Sequence, residues 1–236
     1  MHIKQYCWHS FVPGFFNKTG LAFDLGANHL QFANYLASTH RQVIAVEPNE
    51  ALFAGTSLPA NLKTVPAAVF HKSGRVNLIN AAIDDSSTVE YDNSGSVAAI
   101  TLEQLFAMHL DEAENVDFVK MDIEGDELDI LESTSADTLR RIRQMTVEFH
   151  DFINHDDIPR IRACIARLRE LGFVCLRFSL TTYGDVLFVN RALADWSNGD
   201  IWWTLARFKF LRGIKRYIRR IVMGDSFAPG GYIATK

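Results

Sequence analysis

Acidic side chains stand in this chain where apolar, β-branched runs give way to turns, and their spacing limits the chemistry open to them. Phe23-Asp24-Leu25-Gly26-Ala27-Asn28 closes the run that begins at Leu21. A small glycine-bearing turn at a strand end lets backbone approach a ligand while the next helix presents its N-terminus. This turn lacks the GxGxxG spacing that cradles a pyrophosphate, and an acid two places before the glycine would repel one. It suits a ligand with a positively charged amino-acid end. Glu47 closes the second run, Val43 to Val46, 23 positions after Asp24. An acid at that spacing accepts bonds from both ribose hydroxyls of an adenosine. Taken singly, Asp24 is a turn cap and Glu47 a surface acid before Pro48. Taken together they point to a site for a nucleoside joined to an amino acid.

A second group follows the same logic. Asp122 and Glu124 lie just beyond the run Val116 to Met121, and Glu148 and His150 stand at the end of the run Gln144 to Phe149. Asp122, Glu148 and His150 form an oxygen and nitrogen set of the kind that holds Mg²⁺ or another divalent ion. Glu124 has an ordinary alternative, since with Asp126 and Glu127 it falls near the positive end of the next helix. A histidine at a strand end, such as His150, is ordinarily a hydrogen-bonded surface residue. Lys120 sits inside an apolar run, where its charge requires a carboxylate partner.

These residues need elements to hold them. Leu21–Leu25, Val43–Val46, Lys63–Val69, Val116–Met121 and Gln144–Phe149 have strand pattern, and Arg75–Ile79 an added strand. Helices are expected after Asn28, with Leu30, Ala33 and Leu36 at helical spacing, and over Thr101–Leu110, Glu127–Ser133 and Ile158–Leu171, the last capped by Gly172. Phe173–Phe178 and Val186–Asn190 fit an antiparallel hairpin at the sheet edge, and the polar stretch Asp84–Ser96 a surface loop. Alternation of this kind predicts an α/β, Rossmann-like, doubly wound and mostly parallel sheet. Ligands in such sheets bind beyond the carboxyl ends of the strands, where the acids above stand.

Asp24-Leu-Gly-Ala-Asn28, Val46-Glu-Pro-Asn49, Pro66-Ala-Ala-Val69 with Gly74, Thr101-Leu-Glu103, and Val119-Lys-Met-Asp-Ile-Glu-Gly-Asp-Glu127 resemble, in order and spacing, the motifs of FkbM-type methyltransferases. The resemblance spans Leu21 to His150. It implies the class I methyltransferase fold, S-adenosylmethionine as cofactor, and transfer to a hydroxyl of a sugar, glycan, glycolipid or other small-molecule acceptor. Asp24, Gly26, Ala27, Asn28, Glu47 and Ala68 are then the cofactor-binding residues, and Asp122, Glu124 and His150 the catalytic candidates. Methyl transfer from a sulfonium needs alignment of the acceptor oxygen plus a base or metal for its proton; Asp122 either accepts that proton or binds the acceptor. Where the family has Asn, an apolar residue and Gly, this chain has Asn28-His29-Leu30, so a bulky side chain is expected either to narrow the methionine pocket or to shift the turn. A non-catalytic S-adenosylmethionine-binding or scaffold protein is the alternative that this departure motivates.

The chain has 236 residues, 48% of them hydrophobic, enough for one buried core. Cys7, Cys164 and Cys175 are odd in number and scattered, which fits a reducing compartment and neither a disulfide framework nor a zinc site. No secretory leader or membrane span is legible, so a cytoplasmic protein is expected. The net charge of −4 conceals an asymmetry: Ile201 to Arg220 holds seven basic and no acidic residues, leaving 17 basic against 28 acidic elsewhere. We therefore expect a methyltransferase domain over 1–195 and a basic extension over 196–236, with an amphipathic helix at 201–222 that holds the protein peripherally on the inner, anionic face of a membrane. That would give access to a lipid-linked acceptor. Nucleic acid is not an expected partner, because the acidic body offers no basic groove and no Asn-Pro-Pro-Tyr motif is present.

Overall fold

The computed structural model describes residues 2–80, 87–179, 181–204, 206–207 and 210. The chain opens on a hairpin of β1 (Lys4–Tyr6) and β2 (His9–Phe11), turned through Cys7 and Trp8, both with positive φ. The main sheet takes β3 (Leu21–Leu25), β4 (Gln42–Val46), β5 (Leu62–Val65), β10 (Val116–Met121), β11 (Ile142–Val147), β12 (Phe173–Arg177) and β13 (Val186–Asn190). Their spatial order is β12-β13-β11-β10-β3-β4-β5, parallel except that β13 runs antiparallel to β11 and β12. The doubly wound sheet with an antiparallel edge hairpin is therefore as expected. Strand order reverses between β3 and β10, which are paired, and Asp24 lies opposite Lys120 in that pairing.

β3 and β10 are buried along their whole length because both faces are covered, and the only charged residues in them are Asp24, Asp117 and Lys120. On one face Ala22 packs with Phe32, Ala33 and Leu36 of α1 (Gln31–Ala37). On the other Phe23 stacks on Phe106 of α2 (Leu102–His109), ring centroids 5.0 Å apart. A reciprocal capping box between Thr101 and Gln104 starts α2. The remaining helices are α3 (Glu127–Ser133), α4 (Ala136–Arg140), α5 (Ile158–Glu170) and α6 (Arg191–Ala194). Gly172 has φ +95°, the left-handed residue expected after α5.

Several boundaries differ from the sequence expectation. The strand expected over Lys63–Val69 is cut by Pro66 into β5 and β6 (Ala67–Val69), which belong to different sheets. β6 joins β7 (Gly74–Asn80), β8 (Ser87–Tyr91) and β9 (Val97–Ile100) in a four-stranded sheet of order β6-β9-β7-β8. Within the expected loop at Asp84–Ser96, Ser87–Tyr91 is thus strand, while 92–96 form a turn. Val89 and Tyr91 of β8 pack on Ala68, Phe70 and Val76, an alternation masked in sequence by Ser, Thr and Asp neighbours. The fifth core strand, expected at Gln144–Phe149, starts and ends two residues earlier. α4 and the β1–β2 hairpin carried no recognised sequence signal.

The hairpin is held to the sheet by polar bonds to buried acceptors. Ser10 donates to Asp185 Oδ2 at 2.6 Å, its backbone N–H to Oδ1 at 3.0 Å, and Val12 N–H to Gln144 Oε1 at 3.1 Å. Phe11 meets Phe32 and Phe118 edge-on. At the other end of the chain, Trp196 is buried against Phe15, and residues 198–204 are helical with Thr204 buried. Most of the amphipathic helix expected at 201–222 lies outside the described residues.

Candidate cofactor and catalytic site

A cavity of about 250 Å³ opens at the carboxyl ends of β3, β4 and β10. Its floor depends on Gly26. With φ +73°, a Cβ at this position would stand 1.7 Å from the carbonyl oxygen of Asp122, so only glycine lets the loops after β3 and β10 touch. The N–H groups of Gly26 and Ala27 both donate to Val46 O. Glu47 secures the same loop from the side, accepting from Asn28 N–H through Oε2 and from Asn49 N–H through Oε1, each at 2.9 Å. Burial pushes its carboxyl up, and these two bonds work in the other direction. Each oxygen keeps one lone pair for a ligand hydroxyl. Gly26, Ala27, Asn28, Glu47 and Ala68 all line the cavity.

Asp24, expected to touch the ligand, lies beneath the cavity at 0% exposure. Its oxygens accept no hydrogen bond among the described residues, and burial raises its pKa. Lys120 stands above it and reaches the cavity wall. The ammonium donates to Gly26 O at 2.6 Å and pairs with Asp24 at 3.4 Å and Asp122 at 3.3 Å. The carboxylate partner required for a lysine in an apolar strand is thus found twice. Burial opposes the lysine's charge, yet the two acids hold its pKa above the ordinary value. Two carboxyl groups around one ammonium give this end of the cavity an acidic character, an electrostatic fit for a ligand bearing positive charge.

Asp122 has a second partner that sequence reasoning missed. His9, brought over the site by the β1–β2 hairpin, sets Nε2 3.2 Å from Asp122 Oδ2. Burial alone would raise the Asp122 pKa, but Lys120 and His9 hold it well below the usual carboxylate range. An ionised carboxylate only accepts, so His9 Nε2 carries a proton in this contact. Its Nδ1 is buried and has no partner among the described residues. Glu148 completes the group: His9, Asp122 and Glu148 each present one ligand-type atom within 4.8 Å of the others. Burial and the nearby Asp122 charge push the Glu148 carboxyl up to about 7.

His150 has a different environment. Nδ1 is 3.0 Å from Glu127, and Nε2 is 3.4 Å from Glu124 and 3.9 Å from Asp122. Burial disfavours its charge, but the surrounding carboxylates overcome this and raise its pKa to about 11. Glu127 also accepts from Ile123 and Gly125 N–H groups, fixing the loop in which Glu124 has φ +64°. The expected metal set Asp122–Glu148–His150 is therefore divided. Asp122 groups with His9 and Glu148 on one side and with Glu127 and His150 on the other.

Leu30 corrects another expectation. It does not narrow the cavity; it is fully buried with Phe32, Ala33 and Leu36. Its φ of +62° at the start of α1 gives the physical reason for a glycine in the family pattern, and here a core leucine holds that left-handed conformation. His9 carried little sequence signal, because the turn Cys7-Trp8 contains none of the Gly or Asn residues that mark a two-residue hairpin.

The model for the methyltransferase FkbM domain matches residues 24–175, which include every site residue above except His9. No curated protein matches the chain. Among solved structures, it is similar to an rRNA methylase from Streptococcus thermophilus, at 11% identity and a TM-score of 0.46 over 75% of this chain and 90% of that one. It is also similar to the fibrillarin pre-rRNA processing protein of Methanococcus jannaschii, at 12% identity and 0.45 over 79% and 69%. A third is a Streptococcus mutans protein in complex with SAH, at 10% identity and 0.39 over 75% and 93%. With the family match spanning most of its length, this chain belongs to the FkbM methyltransferases and takes S-adenosylmethionine as its cofactor.

Proposed function

We propose that the protein is an O-methyltransferase acting on a hydroxyl of a sugar or glycan-type acceptor, with Glu148 as general base. The observation that carries this reading is the convergence of His9, Asp122 and Glu148 beside the cavity. Bound S-adenosylmethionine supplies a methyl group on a sulfonium, and a cavity walled by a glycine turn, with acidic character at one end, fits it. Glu47 has lone pairs free for the ribose hydroxyls. Lys120, Asp122 and Gly26 line the cavity where they would hold the charged amino-acid end.

A neutral hydroxyl attacks a sulfonium well only if its proton has somewhere to go. Asp122 is held ionised too firmly to be a strong base, and His150, cationic at neutral pH, cannot take a proton. Glu148 titrates at about 7, where a base is both available and strong enough to matter. His9 orients Asp122 through the Nε2 contact. Trp8, 81% exposed, stands between Cys7 and His9, which both line the cavity. A flat indole at that position suits the C–H face of a sugar ring.

The test is transfer of labelled methyl from the cofactor to fractionated glycan and glycolipid extracts, with mass spectrometry of the product. Labelled O-methyl sugar from the wild type, lost in Glu148→Gln while cofactor affinity persists, supports the reading; methylation of nitrogen or of RNA overturns it. The two oxygen and nitrogen groups that share Asp122 favour a second reading, in which a divalent ion replaces the base. Under it, a chelator stops the reaction and Mg²⁺ restores it.

A further inference from the structure

Residues 198–204, 206–207 and 210 are helical, and the two sides of this helix differ sharply. Ile201 packs on the core cluster around Trp196, and Thr204 is buried, so this side is seated on the body. The opposite side carries Trp203, Arg207 and Phe210, spaced four and three residues apart and therefore in one stripe. Trp203 and Phe210 are 69% and 68% exposed, and Trp202, its ring edge-on to Trp203 at 5.6 Å, is 65% exposed. Large apolar side chains grouped on a surface mark a place of interaction.

We propose that this face binds an anionic lipid surface. Charge identifies the occupant. Ile201 to Arg220 carries seven basic residues and no acid on a protein whose remaining charge is negative. Tryptophans beside arginine match the headgroup boundary, where an indole has one apolar and one wet side. The sequence beyond Phe210 continues with Leu211, Ile214, Ile218 and Ile221 at intervals of three and four, between Arg212, Lys215, Arg216, Arg219 and Arg220. Aliphatic residues at helical spacing favour lipid over single-stranded nucleic acid, whose binding surfaces use aromatic platforms and cations without such a stripe. With the helix seated through Ile201 and Thr204, the methyltransferase body is held against the bilayer.

Sedimentation of the full chain with phosphatidylcholine vesicles, with and without phosphatidylglycerol, tests this at low and high salt. Binding to the anionic vesicles should be at least about tenfold stronger, and high salt should weaken it several-fold. Replacing Arg207, Arg212, Lys215, Arg216, Arg219 and Arg220 by Gln should remove the anionic preference. Trp202→Ser, Trp203→Ser and Phe210→Ser together should abolish the binding that survives high salt, with the thermal midpoint checked to show that each variant folds. Equal binding to both vesicle types overturns the proposal. So does binding to a single-stranded oligonucleotide, lost in the same variants, when neither vesicle is bound.

Discussion

Replacing Glu148 by Gln separates its chemistry from its contribution to the fold. The carboxyl is pushed from an ordinary 4.5 to about 7, first by burial and then by Asp122. A base with that pKa is about one-tenth ionised at pH 6 and about one-hundredth at pH 5, so wild-type kcat/KM should climb about tenfold per pH unit up to neutrality and then level off. Gln has the shape without the basicity, and loss of a general base costs about 10²–10⁴-fold. The residual activity should no longer follow that titration. Stability moves the opposite way. A group whose folded pKa is raised stabilises fully below its unfolded pKa and loses that contribution as pH rises through about 7. Glu148→Gln should therefore melt with the wild type at pH 4 and be more stable by about 1–3 kcal/mol at pH 8, the partial exposure of the site reducing the gain. Initial rates from pH 5 to 9 and calorimetric melts at pH 4 and 8 provide the readouts. A flat wild-type profile, or near-normal turnover in the variant, would refute the assignment.

Gly26→Ala drives a methyl group to 1.7 Å from Asp122 O, so the two loops must part; a loss of more than about 3 kcal/mol by denaturant titration is expected, with cofactor binding abolished. Lys120→Met leaves Asp24 and Asp122 without their shared cation and should cost about 3–5 kcal/mol, part of which Asp24→Asn in the same chain restores. Leu30→Gly relieves a left-handed φ but empties a buried site, for a net loss of about 1–3 kcal/mol at unchanged cofactor affinity by calorimetry.

The parts of the fold that were legible are those in which one short stretch contains its own instructions. β3, β4 and β10 are mostly apolar runs followed by a glycine turn, by Glu47-Pro48 and by Asp122, and α5 has an apolar stripe closed by Gly172, so the core order followed from local pattern. The loop that lines the cavity was legible for the same reason, since Gly26 and Glu47 sit at strand ends whatever the packing. What escaped depended on contacts distant in sequence. His9 meets Asp122 across 113 positions, and only after Ser10 and Val12 have found Asp185 and Gln144. β8 becomes a strand because β7 offers it an edge. Asp24 looked like a ligand group because its burial under Lys120 arises from the pairing of β3 with β10, which no property of the hexapeptide encodes.

That pairing also bears on how the site handles charge through a turnover. Asp24 and Asp122 flank Lys120 at the cavity, with His9 and Glu148 beside Asp122. Under the proposed function a bound sulfonium would add a positive charge near Glu148 to those of Lys120 and His150, and that added charge would be lost once the sulfonium has become a thioether. A neighbouring positive charge favours the ionised carboxylate, so the Glu148 pKa should fall below about 7 in the complex and return as the methyl leaves. The base is readied by the substrate it serves, and its proton replaces a charge that has just disappeared. The rise of kcat with pH reports the complex and that of kcat/KM the free enzyme. The kcat midpoint should accordingly lie about one pH unit or more below the kcat/KM midpoint, the displacement shrinking as salt screens the interaction. Coincident midpoints in a wild type that does titrate near 7 would mean that Glu148 does not feel the sulfonium, and would move the proton acceptor away from the group formed by His9, Asp122 and Glu148.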